Sequence, residues 1–324
     1  MKIIENRKRN QNTRLLTLEF KEKILHTPTY FPAISSTDSK FPIPRLLKFF
    51  IRSSYPQLLI SAYDYYHYLK LESKLKSGLT RYSKKHFLFI DSGGYEKYWT
   101  GDKKWTFDLY KKIIPKIKSD FYTSFDGEFV QKKKNKFYDV IINNGLIHPT
   151  SQYLPIFHAP EPKLLLKTIS RFLERYPYAI NLIAIRELEC GITTSERAKT
   201  IFQIRKILDK IGGKQMLHVL GAGHPISIAL YSYCGADSFD STDWFRSTFD
   251  PKSNTLLDSS HIDIVTQSPA SIRIQDPTLK LLVHNLDTYF IFMKKIQALI
   301  KNNKLLSFLH QNKIDKNIIE KIIN

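Results

Sequence analysis

A chain of 324 residues that is 42% hydrophobic is long enough for a sizeable core, about one barrel-sized domain with additions. Lysine and arginine number 50 against 30 aspartates and glutamates, and the pI is near 9.7, so the expected partner is a polyanion, nucleic acid ahead of a membrane surface. Only two cysteines, Cys190 and Cys234, argue against a disulfide framework or a cysteine-rich metal site. No run of eighteen apolar residues reads as a membrane span. The polar stretch from Met1 to Arg9 lacks a signal-peptide core, and the expected compartment is the cytoplasm. A lysine-rich composition spread over the whole chain is the competing explanation of the charge. The lysines do cluster at Lys103-Lys104, Lys111-Lys112, Lys132-Lys133-Lys134 with Lys136, and along the C-terminal helices.

In chain order, Thr13–Phe20 and Thr29–Ala33 alternate in a β-like way and predict a hairpin leading into a first barrel strand. Pro44–Ile51 reads as a helix with proline near its start. Gln57–Ile60 is a second strand, and the tyrosine-rich Tyr63–Ser77 is a helix. Residues 86–91 form a third strand, and Thr106–Lys118 the helix after it. Asp120–Asp126 is a fourth strand, followed by an irregular basic insertion over 127–150. Tyr153–His158 is a fifth strand, and Leu164–Tyr176 an amphipathic helix. Tyr178–Ile185 is a sixth strand, and Thr194–Ile211 a helix capped by Thr194 or Ser195. Met216–Leu220 is a seventh strand running into Gly221-Ala-Gly-His-Pro225, then a helix over Ile226–Cys234. Ala236–Asp240 is a short eighth strand. A proline-dotted loop over 247–277 and helices near 278–301 and 303–322 complete the chain.

Eight strand-like runs alternating with helices predict parallel βαβ units, and eight of them predict a closed (β/α)8 barrel of α/β class. The chain then reads as one domain, 1–324, with the barrel core at 12–245, the insertion at 127–150 and the C-terminal loop and helices at 246–324. Catalytic groups of such barrels sit at the C-terminal strand ends. Here those ends collect Asp91, Asp126, His158, Glu187, Gly221 and Asp240. Phe87-Leu-Phe-Ile-Asp-Ser-Gly-Gly-Tyr95 is the most pronounced case: an apolar run ends in an acid, a hydroxyl and a glycine pair that lets a ligand approach the backbone. The competing account of this stretch is a plain strand-to-loop turn whose Asp caps the next helix.

Several carboxylates on one face can divide nucleophilic and proton-transfer work. With a basic surface, the sugar they act on could belong to a nucleic acid, and the target base would first leave its stack. Tyr95 could then stack on that base.

Asp91-Ser-Gly-Gly-Tyr95 resembles the Asp-Ser-Gly-Gly-aromatic signature of the tRNA-guanine transglycosylases. Thr27–Ala33, Phe125-Asp126, Leu217–Pro225, Ala236–Ser241 and Val283-His-Asn285 resemble further segments of that family in the same order, together spanning about residues 13–300. The resemblance implies that Asp240 is the nucleophile and Asp91 the general acid/base. It further implies that Tyr95 stacks on the purine, that Asp126 bonds its edge, and that Ser92, Gly93 and Gly221 line the base pocket. His158 stands where the family usually has a base-binding glutamine. Glu187 stands near a glutamate that senses the incoming base. Arg246 and Lys132, Lys133 and Lys134 are the candidate nucleic-acid contacts.

The chain also departs from the family. Asn181–Arg186 replaces a glycine-rich segment. No cysteine lies between 246 and 283, so the family's zinc is not expected: zinc needs about four ligands, and His284 alone reads as a structural remnant. Ser241-Thr-Asp-Trp-Phe-Arg246 differs from the bacterial tRNA enzymes. These departures resemble most the paralogues that replace guanine in DNA by a 7-deazaguanine of the preQ0 type. DNA is therefore the expected substrate ahead of tRNA, with an accessory protein for strand opening left open. No cofactor is expected. The alternatives are the same chemistry on tRNA, or a non-catalytic nucleic-acid-binding subunit on the same barrel.

Overall fold

The structure, a computed structural model, describes residues 1–6, 13–37, 41–53, 55–69, 73–125, 141–143, 145, 147–177, 180–212 and 214–323. Three antiparallel strands come first: β1 (Lys2–Asn6), β2 (Leu15–Phe20) and β3 (Lys23–His26). A parallel sheet follows, built from β4 (Thr29–Ile34), β5 (Gln57–Ser61), β6 (Phe87–Asp91), β7 (Phe121–Thr123), β8 (Gln152–Leu154), β9 (Ile156–Phe157), β10 (Leu182–Arg186), β11 (Met216–Leu220) and β12 (Ser238–Ser241). Its order is β8-β7-β6-β5-β4-β12-β11-β10-β9. The two ends of that order, β8 and β9, are halves of one run of chain interrupted at Pro155, which has no N–H to donate. The first half pairs with β7 and the second with β10. The sheet thus closes on itself as a (β/α)8 barrel of the expected class.

Alternation along each strand sends side chains to two different cores. Phe31, Leu59, Phe89, Phe121, Ala184 and Met216 face the barrel axis and pack with Leu16, Leu18 and Leu25 of the first sheet. Tyr30, Ile60, Ile90, Tyr122, Ile185 and Val219 face outward against the helices. The three-stranded sheet is therefore the floor of the barrel. By the same parity, Asp91, Thr123, His218 and Asp240 are inward-facing.

Two buried ion clusters fasten that floor. Arg14 grips Asp237 with two parallel bonds, Nε to Oδ1 at 2.9 Å and Nη2 to Oδ2 at 2.8 Å. Arg205, from the helix Thr194–Lys210, reaches the same Oδ2 at 3.1 Å, and the Leu217 N–H donates to it at 2.8 Å. On the other side Lys23 donates to Asp120 at 2.5 Å and to the carbonyls of Ser83 and His86. Burial pushes the Asp120 carboxyl up and the Lys23 ammonium down, and their contact opposes both shifts in part.

Several expected elements differ. The helix over 63–77 is two helices, Ala62–Leu69 and Ser73–Lys85. Thr193, not Thr194 or Ser195, caps the helix Thr194–Lys210, in a reciprocal capping box with Glu196. The stretch 247–277 is not a plain loop. It begins with a hairpin, β13 (Ser247–Asp250) and β14 (Thr255–Asp258), whose turn uses Asn254 at φ 54°, a conformation Asn tolerates. The last predicted helix is two, Leu305–Gln311 and Lys316–Ile323, separated where Lys313 takes φ 64°. Among the elements not expected from the sequence are β1, the helix Gly94–Thr100 and the short helix Asp243–Arg246. The fourth strand stops at Thr123, and Asp126 lies outside the described residues, as do Lys132, Lys133 and Lys134. Among the described residues no helix is long and apolar enough to cross a membrane.

Removing Asp237 would leave two buried guanidinium groups without their shared carboxylate. Asp237→Ala is predicted to cost about 3–5 kcal/mol in denaturant unfolding. A loss below about 1 kcal/mol, the scale of a surface pair, would contradict the assigned role.

Candidate active site at the barrel mouth

Asp240, at the end of β12, is nearly buried and held on one side. Its side chain is 10% exposed. Among the described residues both hydrogen bonds it accepts fall on Oδ1: from His218 Nε2 at 3.0 Å and from the Gly221 N–H at 3.3 Å. Gly221 reaches that position at φ 80°, where a Cβ would be strained. His218 is fully buried inside the barrel, edge-on to Phe31 and Phe89. Its Nδ1 lies 2.8 Å from Ser238 Oγ. A carboxylate only accepts, so Nε2 carries the proton toward Asp240, while Nδ1 meets the Ser238 hydroxyl. Three inward positions on two neighbouring strands thus form a chain, Ser238 to His218 to Asp240, that holds Oδ1 of the carboxylate; Oδ2 accepts no hydrogen bond among the described residues.

Asp91 lies three strand positions away around the ring, through β4 and β5. Its Oδ1 accepts from Thr123 Oγ1 at 3.2 Å and its Oδ2 from the Gly93 N–H at 3.2 Å. The following turn is built for close approach. Gly93 sits at φ 83°, and a Cβ there would lie 2.4 Å from the Tyr63 Cβ. Ser92 is buried; its hydroxyl accepts from the Gly94 N–H, and its carbonyl from Trp105 Nε1. Tyr95, in the first turn of the helix Gly94–Thr100, is 38% exposed.

Behind this turn lie two acids that the sequence reading did not single out. Glu96 is 3% exposed and accepts from Ser35 Oγ at 2.6 Å, while Asp64 is fully buried and accepts from the Ser36 N–H at 2.9 Å. Glu96 Oε2 and Asp64 Oδ1 are buried without hydrogen-bond partners among the described residues. Burial first, then the charges of Asp64 and Asp91, push the Glu96 carboxyl well above its usual range, and burial raises Asp64 to about 6. Both shifts favour the protonated form of these acids relative to an exposed carboxyl.

The remaining predicted residues divide. His158 is buried, and its Nδ1 meets Glu189 at 3.0 Å. Glu189 also accepts from the Ala159 N–H and pairs with Arg186. Burial alone would raise the Glu189 carboxyl; the bond and charge of His158, with Arg186, bring it below its ordinary value. Glu187, one turn away, is held by the Tyr231 hydroxyl at 2.8 Å and by Arg197 at 3.3 Å. Both partners belong to the outer helices, so Glu187 faces the helix layer. Arg246 ends the short helix Asp243–Arg246 and is exposed.

His284 and Asn285 knit the C-terminal helix Pro277–Lys301 to β13. His284 accepts from the Ser268 N–H and donates to the Phe249 carbonyl; Asn285 bonds Phe249, Trp244 and Ser247 backbone groups. Both ring nitrogens of His284 are thus engaged, and among the described residues no group of three or more His, Cys, Asp or Glu side chains could hold a metal ion. This donor set does not fit a structural zinc. The same long helix supports the mouth: Tyr289 stacks on Tyr30 at 4.2 Å and donates to the Gly223 carbonyl.

No protein-family model matches the chain, and no curated protein matches it significantly.

The buried acids make a pH prediction. Asp64 has a folded pKa of about 6 against 3.8 ordinarily. Between those values the unfolded chain has released its proton while the folded chain keeps it, so stability falls as pH rises from about 4 to about 6. Asp64→Asn is predicted to flatten this decline in urea unfolding across that window. Parallel wild-type and variant curves would show that Asp64 does not titrate there.

Proposed function

We propose that the barrel mouth is a base-exchange centre, a transglycosylase that replaces guanine in DNA by a 7-deazaguanine. The observation that carries the reading is the pair of inward carboxylates at strand ends with different surroundings: Asp240 held on one oxygen by His218 and Gly221, and Asp91 held by Thr123 and the glycine turn. The ordered resemblance to the tRNA-guanine transglycosylases and the net charge of +20 support the same assignment.

In this reading Asp240 Oδ2 attacks C1′ of the extruded nucleotide. The C1′–N9 bond breaks, and the departing guanine takes a proton from Asp91. An incoming base gives its N9 proton to the Asp91 carboxylate and attacks C1′, and the Asp240 ester bond breaks. Bonds of the same type form and break, so no nucleoside triphosphate is required. The hydrogen bond from His218 fixes the carboxylate before attack, which is worth most in a water-poor site. Tyr95, beside the turn, is the proposed stacking surface for the base.

Incubation with radiolabelled guanine or preQ0 tests this on single-stranded DNA, duplex DNA and tRNA in parallel. The expected result is label in DNA, lost with Asp240→Asn while nucleic-acid binding remains. Label in tRNA alone would replace DNA as the substrate, and exchange that survives Asp240→Asn would remove the nucleophile assignment. His218→Leu is predicted to lower the exchange rate by about tenfold or more, the scale of one positioned polar contact, with binding little changed. A variant as fast as wild type would show that Asp240 needs no such positioning.

A further inference from the structure

The helix Gly94–Thr100 carries more exposed aromatic surface than the proposed exchange reaction uses. Tyr98 is 78% exposed and Trp99 61%. Their rings meet edge-to-face at 5.5 Å, and Trp99 in turn meets Tyr95 at 6.2 Å. The three rings form a continuous row that leads from the turn after Asp91 out to the surface. Single exposed aromatics are ordinary, but neighbouring large ones on one short helix mark a contact surface. The local charge selects the partner. Lys103 and Lys104 follow at the end of the same helix, and Lys111 and Lys112 on the next; all four are exposed. An apolar protein face would bury lysines at a cost, whereas a polyanion with flat faces satisfies rings and ammonium groups together.

We propose that Tyr98 and Trp99 form a stacking platform for unpaired bases of the DNA strand that flank the nucleotide held between Asp91 and Asp240. The proposal rests on the base-exchange reading for its location, and it names a substrate form: a single-stranded or locally opened segment. Bases in a duplex have their faces covered by neighbours, so a platform of this kind favours an opened strand and helps hold it open once the target base has left its stack.

The chain contains three tryptophans, and Trp105 and Trp244 are fully buried. Tryptophan emission that responds to a surface ligand therefore reports Trp99. The experiment titrates the full chain with a short single-stranded DNA, the same sequence as a duplex, and heparin, following tryptophan quenching and binding at fixed salt. The platform predicts quenching by the single strand, little by the duplex and none by heparin, which has charge but no bases. Replacing both rings (Tyr98→Ala with Trp99→Ala) is predicted to weaken single-strand binding by about tenfold or more, the scale of one lost stacked base. Trp99→Phe is predicted to keep most of the affinity while losing the quench, which separates stacking from any folding defect.

Equal quenching by heparin, or undiminished single-strand affinity in the double variant, would overturn the proposal. Single-stranded RNA preferred to DNA of the same sequence would overturn its substrate assignment. Binding and quenching need no catalysis, so a chain that quenches but exchanges no base would keep the platform and lose the reaction. A chain that exchanges bases without quenching would do the reverse.

Discussion

The carboxylate of Asp237, clamped by Arg14 and Arg205 and by the Leu217 N–H, fixes where the last barrel strand lies. It joins the floor sheet, the helix Thr194–Lys210 and β11 at one buried point. A strand has a period of two, so a slip of one residue turns every inward side chain outward. With Asp237 pinned at the foot of β12, Ser238 and Asp240 must face the axis and Phe239 the helices. The registers His218 with Ser238 and Asp240 with Phe31 follow from the same fixing. The Asp240 carboxylate therefore owes its direction to an ion cluster at the opposite end of its own short strand. The Lys23–Asp120 contact does the same for β6 and β7: Asp120 Oδ2 accepts from the Leu88 N–H, one strand residue before the inward Phe89 and three before Asp91.

At the mouth, polar groups are held by side-chain and backbone partners. His218 is buried among aromatic edges, which leaves it the hydroxyl of Ser238 and the carboxylate of Asp240 as partners. On the Asp91 side, burial and the neighbouring carboxylates push the Glu96 carboxyl up, because like charges close together in a buried site repel. Glu96 sits next to Tyr95 in sequence, so the same short helix exposes a ring and sends a carboxyl to the interior. The long helix Pro277–Lys301 then closes the outside of β4 and the Gly221–Pro225 loop through Tyr30, Tyr289 and Gly223.

Much of the barrel is legible in the chain because its strands are short apolar runs ending in polar residues, and parallel strands in a closed barrel are buried on both faces. Asp91 and Asp240 stand out on that pattern alone. His218 does not, because a histidine inside an apolar strand reads as core, and only the pairing of β11 with β12 reveals what it touches. Glu96 was hidden within the glycine-turn motif, whose neighbours draw attention first. Glu187 stands out by its position along the chain; the structure pairs it with Tyr231 and Arg197 and places Glu189 against His158, a contact that spacing alone does not reveal. Boundaries failed where backbone chemistry is local: the positive φ at Asn254 and Lys313 makes a hairpin and a helix break that hydropathy does not encode. The first strand, Lys2–Asn6, alternates too weakly to be read without its partner β2.

The most direct test of the account is to mix the wild-type chain with a guanine-containing single-stranded oligonucleotide, withhold the incoming base, quench in acid and measure intact mass, followed by peptide mapping. The account predicts a covalent product whose mass is the chain plus the oligonucleotide less one guanine, attached at Asp240. Release of guanine with no adduct, or an adduct mapped to Asp91, would contradict the division of roles between the two carboxylates.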